Sequence, residues 1–276
     1  MATASLIMLA ALSKFRDRAL LLRIEGKLCW RVADGVSKAL KCPPGFQPRA
    51  ICVSVNCSRG SLVQADIIAS TLRYTAAKYK VPLYTFAEDM AIGAGYWVLA
   101  AGHKVFVDEY SMVGGVSVAA QTLGLTGFAK QWKLETAVVA SGKNRVRLNA
   151  FEKVKAEDEE WVKELVKEQD GVFRAYVQKQ RPKAQAELLS GDIFKGRKAV
   201  EGGLVDELGD QASILLRDFP GLKGLQRSPN FPLPLAGTLT ELAAKARTEG
   251  VEESEVLEVL DEEWMRAITQ RTLAQL

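Results

Sequence analysis

The chain has 276 residues, 48% apolar and 25% charged, with a net charge of +4. That is the balance of a soluble globular protein with room for one large α/β domain or two small ones. It carries no overall basic bias, so no nucleic-acid contact is inferred. Four cysteines (Cys29, Cys42, Cys52 and Cys57) show no CxxC spacing and have no neighbouring histidine. This speaks against a zinc site or a disulfide framework and for a reducing compartment. No cofactor or metal is expected. The charge is uneven, with nine bases against three acids over 1–50 and eight acids without a base over 248–263.

Residues 1–18 have no acid before Asp17, and their apolar run, 6–12, is too short to cross a bilayer. Lys14, Arg16 and Arg18 follow that run, whereas a secretory signal places its charge ahead of it. The segment suits organelle targeting, and an ordinary first helix is the other reading. Next, 19–28 and 49–57 read as strands buried on both faces, as in a parallel sheet covered by helices. A short helix over 32–40 lies between them. A helix over 61–80 places apolar residues at 63, 67, 68 and 72. Strands are expected at 81–87, 103–108 and 134–141. His103, the single histidine, stands where a helix gives way to a strand and reads as structural.

The stretch "AEDMAIGAGYWVLAAGHKV" (87–105) reads as a polar turn, small residues, then a short helix apolar on every side. Such a turn can present a nucleophile, yet no Ser, Cys, Thr or Lys lies between Met90 and Tyr96. From 156 to 181 the pattern is helical, with Trp161, Leu165, Val172, Phe173, Tyr176 and Val177 on one stripe. After 209 the composition changes. A Pro-rich stretch, "SPNFPLPLAG" (228–237), precedes helical segments near 238–247 and 252–275. In the second, Val256, Leu260, Trp264 and Ile268 repeat every four residues and call for a partner surface.

Three blocks carry a resemblance: "VSVNCSRGSLVQADII", "FAEDMAIGAGYWVLAAGHKVFVDEYSMVGGVSV" and "GDIFKGRKAVEGGLVDELGD". In collinear order they resemble the SppA-type signal peptide peptidases, Ser–Lys proteases of the ClpP/crotonase fold. The resemblance implies an α/β core of βα units over 19–210, flanked by a targeting-like or partner-binding segment (1–18). A Pro-rich linker (211–237) and a helical C-terminal arm (238–276) follow, adding helices after the core. The residues that carry the family's chemistry differ here. Its nucleophilic Ser falls at Gly93 and its general-base Lys at Arg145. Its P-G-G oxyanion loop becomes Ser58-Arg59-Gly60.

Glycine has no atom that attacks a carbonyl, and arginine stays protonated and takes up no proton. The expectation is therefore a pseudoenzyme, retained as a structural or interaction subunit of a larger assembly of protein subunits. A mitochondrion is the expected site, soluble or peripheral to a membrane complex; the host could be a respiratory complex, ATP synthase or the mitochondrial ribosome. Two alternatives stay open. One is a regulatory partner of an active SppA-like homologue. The other is an active peptidase or crotonase-like enzyme with relocated groups drawn from Cys57, Ser58, Ser117, Lys143, Glu88 and Asp89.

Overall fold

A computed structural model of the chain describes residues 18–41, 48–142, 146–220, 222 and 224–228. Strand β1 (Arg18–Leu28) leads into helix α1 (Trp30–Ala39), then β2 (Ala50–Gly60) and α2 (Leu62–Tyr79). After β3 (Leu83–Ile92) come α3 (Ala94–Leu99), β4 (Lys104–Val107) and β5 (Met112–Gly114). A long excursion holding α4 (Thr126–Gln131) precedes α5 (Ala156–Gln180). The remainder is β6 (Ile193–Lys195), α6 (Gly196–Glu201), β7 (Glu207–Leu208), α7 (Gln211–Asp218) and β8 (Gly224–Ser228).

The strands form one sheet in the order β6-β5-β3-β2-β1-β8, with β4 joining β3 to β7. Every pairing is parallel except β5 with β6. Parallel strands demand cover on both faces, which explains the nearly continuous apolar runs of β1 and β2. One face buries Leu20, Leu22, Val53 and Val55 beneath the helices. The other buries Leu21, Cys52, Tyr84, Phe86 and Phe106 against Ile214 and Leu215 of α7. This is the ClpP/crotonase-like α/β core expected from the sequence.

Several expectations change in detail. Residues 134–141, β-rich in composition, form no strand and are exposed throughout. β propensity expresses fit to a half-buried pleated surface, and this segment pairs with no strand of the sheet. On α2 the buried positions are Ala65, Ile68, Ala69, Leu72, Thr75 and Ala76, whereas Val63 and Ile67 face solvent. Small alanines let α2 lie against α3, and that contact sets the rotation of the helix. On α5 only Phe173 and Val177 of the expected stripe are buried, with Tyr176 packed at the edge of the core. Trp161, Leu165 and Val172 are exposed. Residues 211–228, expected to begin a linker, carry α7 and β8, and β8 extends the sheet beside β1.

Candidate functional site

Strand β3 runs on through residues expected to form a polar turn. Its register against β2 shows why they look like one. Val55 pairs with Ala87 and Cys57 with Ala91, so β3 inserts extra residues opposite one residue of β2. Glu88 and Asp89 sit in that irregularity, where β3 also changes neighbour, from β4 at 84–87 to β5 at 90–92. Beyond it the chain turns at Gly93 and enters α3, all six residues of which are buried.

Gly93 holds φ 57° and ψ −116°, a conformation that suits glycine and strains other residues. Its N–H donates to the Gly114 carbonyl (2.9 Å), and its own carbonyl accepts from Trp97 N–H (3.0 Å). A Cβ added at Gly93 would meet a single neighbour, the Gly115 carbonyl oxygen at 3.8 Å. The turn thus has room for a side chain and carries none. At Gly95 the reverse holds: a Cβ there would lie 2.2 Å from the Cys57 carbonyl oxygen. Only glycine lets α3 come this close to β2.

The rest of α3 is fastened to the body. Tyr96 is fully buried and donates its hydroxyl to the Leu204 carbonyl (2.8 Å); burial raises its pKa far above that of a free phenol. Trp97 stacks on Tyr176 with ring centroids 4.0 Å apart, and Tyr176 donates back to the Trp97 carbonyl (3.0 Å). The site therefore rests on a rigid support. The apolar character of α3 is plain in the sequence, whereas the polar tips that lock it are not; a tyrosine within an otherwise apolar helix is the one signal that points there.

Ser58, Arg59 and Gly60, expected as a loop, form the end of β2, with Arg59 opposite Lys27 and Gly60 opposite Leu28 of β1. Ser58 and Arg59 are exposed. The structure brings the Cys57 carbonyl against α3 at Gly95, two residues after Gly93. Arg145 and Lys143 lie outside the described residues, as do Val256, Leu260, Trp264 and Ile268.

Of the relocated candidates, Cys57, Glu88 and Asp89 are tied up in hydrogen bonds. Cys57 is buried, its thiol donates to the Arg59 carbonyl (3.2 Å), and burial pushes its pKa up. A thiol so placed is a poor thiolate and a poor nucleophile. Cys52 is pushed up to about 12 by the same cause. Glu88 receives Arg23 in a forked pair (Nε 3.0 Å, Nη2 2.8 Å), and Asp89 accepts from Asn56 Nδ2 (2.8 Å). Ser117 is exposed and lies next to Gly191. His103 uses Nδ1 to accept the Leu83 N–H (2.9 Å), a structural role. Partial burial, and then the nearby Arg73 charge, lower its pKa. Among the described residues no group of His, Cys, Asp and Glu is arranged to hold a metal ion.

Comparison with known proteins decides the family. The model of peptidase family S49 matches residues 75–218. The chain belongs to peptidase family S49. Among its relatives is a protein from Enterococcus faecium named as a signal peptide peptidase, SppA. It is 27% identical over 164 residues, covering 58% of this chain and 47% of that protein. A protein from Brucella melitensis named as the Na(+)/H(+) antiporter NhaA is 32% identical over 173 residues, 62% of this chain and 24% of its own length. The chain thus spans about a quarter of the antiporter and about half of the SppA relative. Among solved structures, a serine-to-alanine mutant of the 1510-N membrane-bound stomatin-specific protease matches with a TM-score of 0.50. It is 12% identical, covering 79% of this chain and 99% of its own. That likeness supports the fold alone. Among the described residues no helix is long and apolar enough to cross a membrane.

Proposed function

We propose that this S49 member is catalytically inactive and acts as a structural or interaction subunit of a larger assembly, in a mitochondrion. The observation that carries the reading is the Gly93 turn. It has the strained geometry and open space of a nucleophile's seat, without a nucleophilic atom. By comparison with serine proteases, loss of the nucleophile alone costs on the order of 10⁶-fold in rate, about 8 kcal/mol of barrier. Arginine at position 145 supports the same reading, because a guanidinium takes no proton from a hydroxyl at physiological pH. The targeting-like composition of 1–18 supports the location.

A fluorophosphonate probe tests the first half: no serine of the purified protein should be labelled. Stoichiometric labelling at one serine would return the chain to the active peptidases. Native purification from the source organism tests the second half. Migration with a large assembly supports the subunit reading. Isolation with an active SppA-like protease would replace it by a regulatory role, and isolation alone would remove it.

A further inference from the structure

Helix α2 is apolar on two faces. One, set by Ala65, Ile68, Ala69, Leu72 and Ala76, is buried in the core. The other carries Val63, Ile67, Ser70, Tyr74 and Ala77, all of them exposed, Val63 at 67% and Tyr74 at 70%. Their spacing of four, three, four and three residues is that of a seam on which a second helix packs. Thr71, beside the seam, spends its hydroxyl on the Ile67 carbonyl (2.6 Å) and adds no unmet polar group. Trp30, 64% exposed, opens α1 at the end of the sheet where Val63 opens α2. The Ser61 N–H, donating to the Leu28 carbonyl (3.1 Å), holds those two helix starts together. An apolar seam of this length on a domain surface marks an interaction site.

The surroundings of the seam are basic. Residues 27–41 hold four bases and one acid, and residues 59–80 again four and one, so each stretch has a net charge of +3. The fitting partner is an acidic helix with one apolar stripe, and the chain contains that sequence. Residues 252–275, outside the described residues, hold seven acids and two bases, net −5. All seven acids fall within 252–263, before and among Val256, Leu260 and Trp264. Reach is no obstacle. β8 runs parallel to β1 and leaves at Ser228, opposite Leu22, toward the end where Trp30 begins α1. The 23 residues of 229–251 extend to about 75 Å. A helix over 252–275 would measure about 36 Å, enough to follow all of α2, about 27 Å long.

We infer that the acidic C-terminal segment, 252–275, docks as a helix on the α1–α2 seam of its own domain, its apolar repeat laid along Val63, Ile67 and Tyr74. A segment tied to the same chain meets the seam at an effective concentration on the order of millimolar, ahead of a second copy in dilute solution. Opposite charges hold it there and make the contact salt-sensitive. In this clasped form the arm withholds its apolar stripe from other proteins, and a basic partner surface must compete for it. The contact does not depend on whether the Gly93 turn is catalytically inert.

Carbodiimide cross-linking of the full chain, in an equal mixture of unlabelled and heavy-isotope-labelled protein, tests this. Carboxylates of 252–263 should join Lys38, Lys41 or Lys78 within single chains, light to light and heavy to heavy. Links between light and heavy chains would assign the contact to a second copy, and links only elsewhere, or none, would remove it. Hydrogen exchange gives a second readout. Amides of 256–268 should exchange about tenfold more slowly in the wild type than in Val63→Asp/Ile67→Asp/Tyr74→Asp, and high salt should speed them in the wild type. The three substituted positions are exposed, so the core is left untouched. A variant that unfolds is replaced by the exposed charge reversal Lys41→Glu/Lys78→Glu, held to the same difference. Equal exchange in wild type and variant would overturn the inference.

Discussion

At Gly93 two demands usually met together come apart. There is space, since the nearest atom to an added Cβ is 3.8 Å away, but the backbone angles suit glycine. Gly93→Ser and Gly93→Ala should therefore both fold and each lose about 1–3 kcal/mol through backbone strain alone. Equal losses in denaturant titrations would bear this out, and a larger loss for Ser would mean that the space is not free. Activity should not return with Gly93→Ser and Arg145→Lys, because Arg59 and Gly60 are engaged as ladder partners of Lys27 and Leu28. Stabilising the developing oxyanion is a separate large contribution. Measurable peptide cleavage by that double variant would show that the 58–60 segment was never the obstacle. His103 gives a pH signature. Its folded pKa lies below the ordinary value, so the fold prefers the neutral ring. This contribution is fully present above the unfolded value of about 6.5 and is lost as pH falls through the folded pKa. His103→Asn keeps an acceptor for the Leu83 N–H. It should flatten the acid side of a melting-temperature profile; an unchanged slope would place the proton uptake elsewhere.

Helix α5 is two elements joined end to end. Its C-terminal half buries Phe173 and Val177 and stacks Tyr176 on Trp97, while its N-terminal half carries large apolar residues in the open. Phe173→Ala should cost about 3–5 kcal/mol through cavity formation, whereas Leu165→Ala should stay within about 0.5 kcal/mol in the isolated monomer. Comparable losses from the two would mean that the exposed half is covered in solution. The contrast also shows how far the sequence can be read. Periodicity placed α5 and its stripe, because hydrophobic repeats record that a face is apolar. They do not record whether body, partner or solvent meets that face. On α2 the same limit appears in reverse: Val63 and Ile67 are apolar and exposed, while alanines sit in the contact. Strands β5, β6 and β7 span two or three residues each, too few to show alternation. The empty turn was legible because the absence of any nucleophile between Met90 and Tyr96 is a fact of the residues themselves. The locking hydroxyls of Tyr96 and Tyr176 were not, since their partners are backbone carbonyls distant in the chain.

At the scale of the whole molecule, β8 forms one edge of the described sheet. β8 pairs with β1 from Arg18↔Gly224 to Leu22↔Ser228, and α7 seals the second core with Ile214 and Leu215. Tyr84 and Lys104 reach Asp218 at the end of α7 (2.8 and 3.1 Å), tying that helix to two strands. Removing the chain from 211 onward should thus strip a working face of the core. Loss of Ile214 and Leu215 alone is worth about 1.5–3 kcal/mol each. Removing 229–276 should leave the sheet intact and the melting temperature close to that of the full chain. The apolar repeat of Val256, Leu260, Trp264 and Ile268, with eight acids before and among its residues, lies wholly in the removed part. If this segment attaches the protein to a basic partner surface, as its composition suggests, the protein cut at 229 should fold yet fail to enter its assembly. Trp264→Ala alone should weaken entry in the same direction. Normal incorporation of the shortened chain, followed by native electrophoresis of the assembly, would show that the contacts lie on the folded core instead.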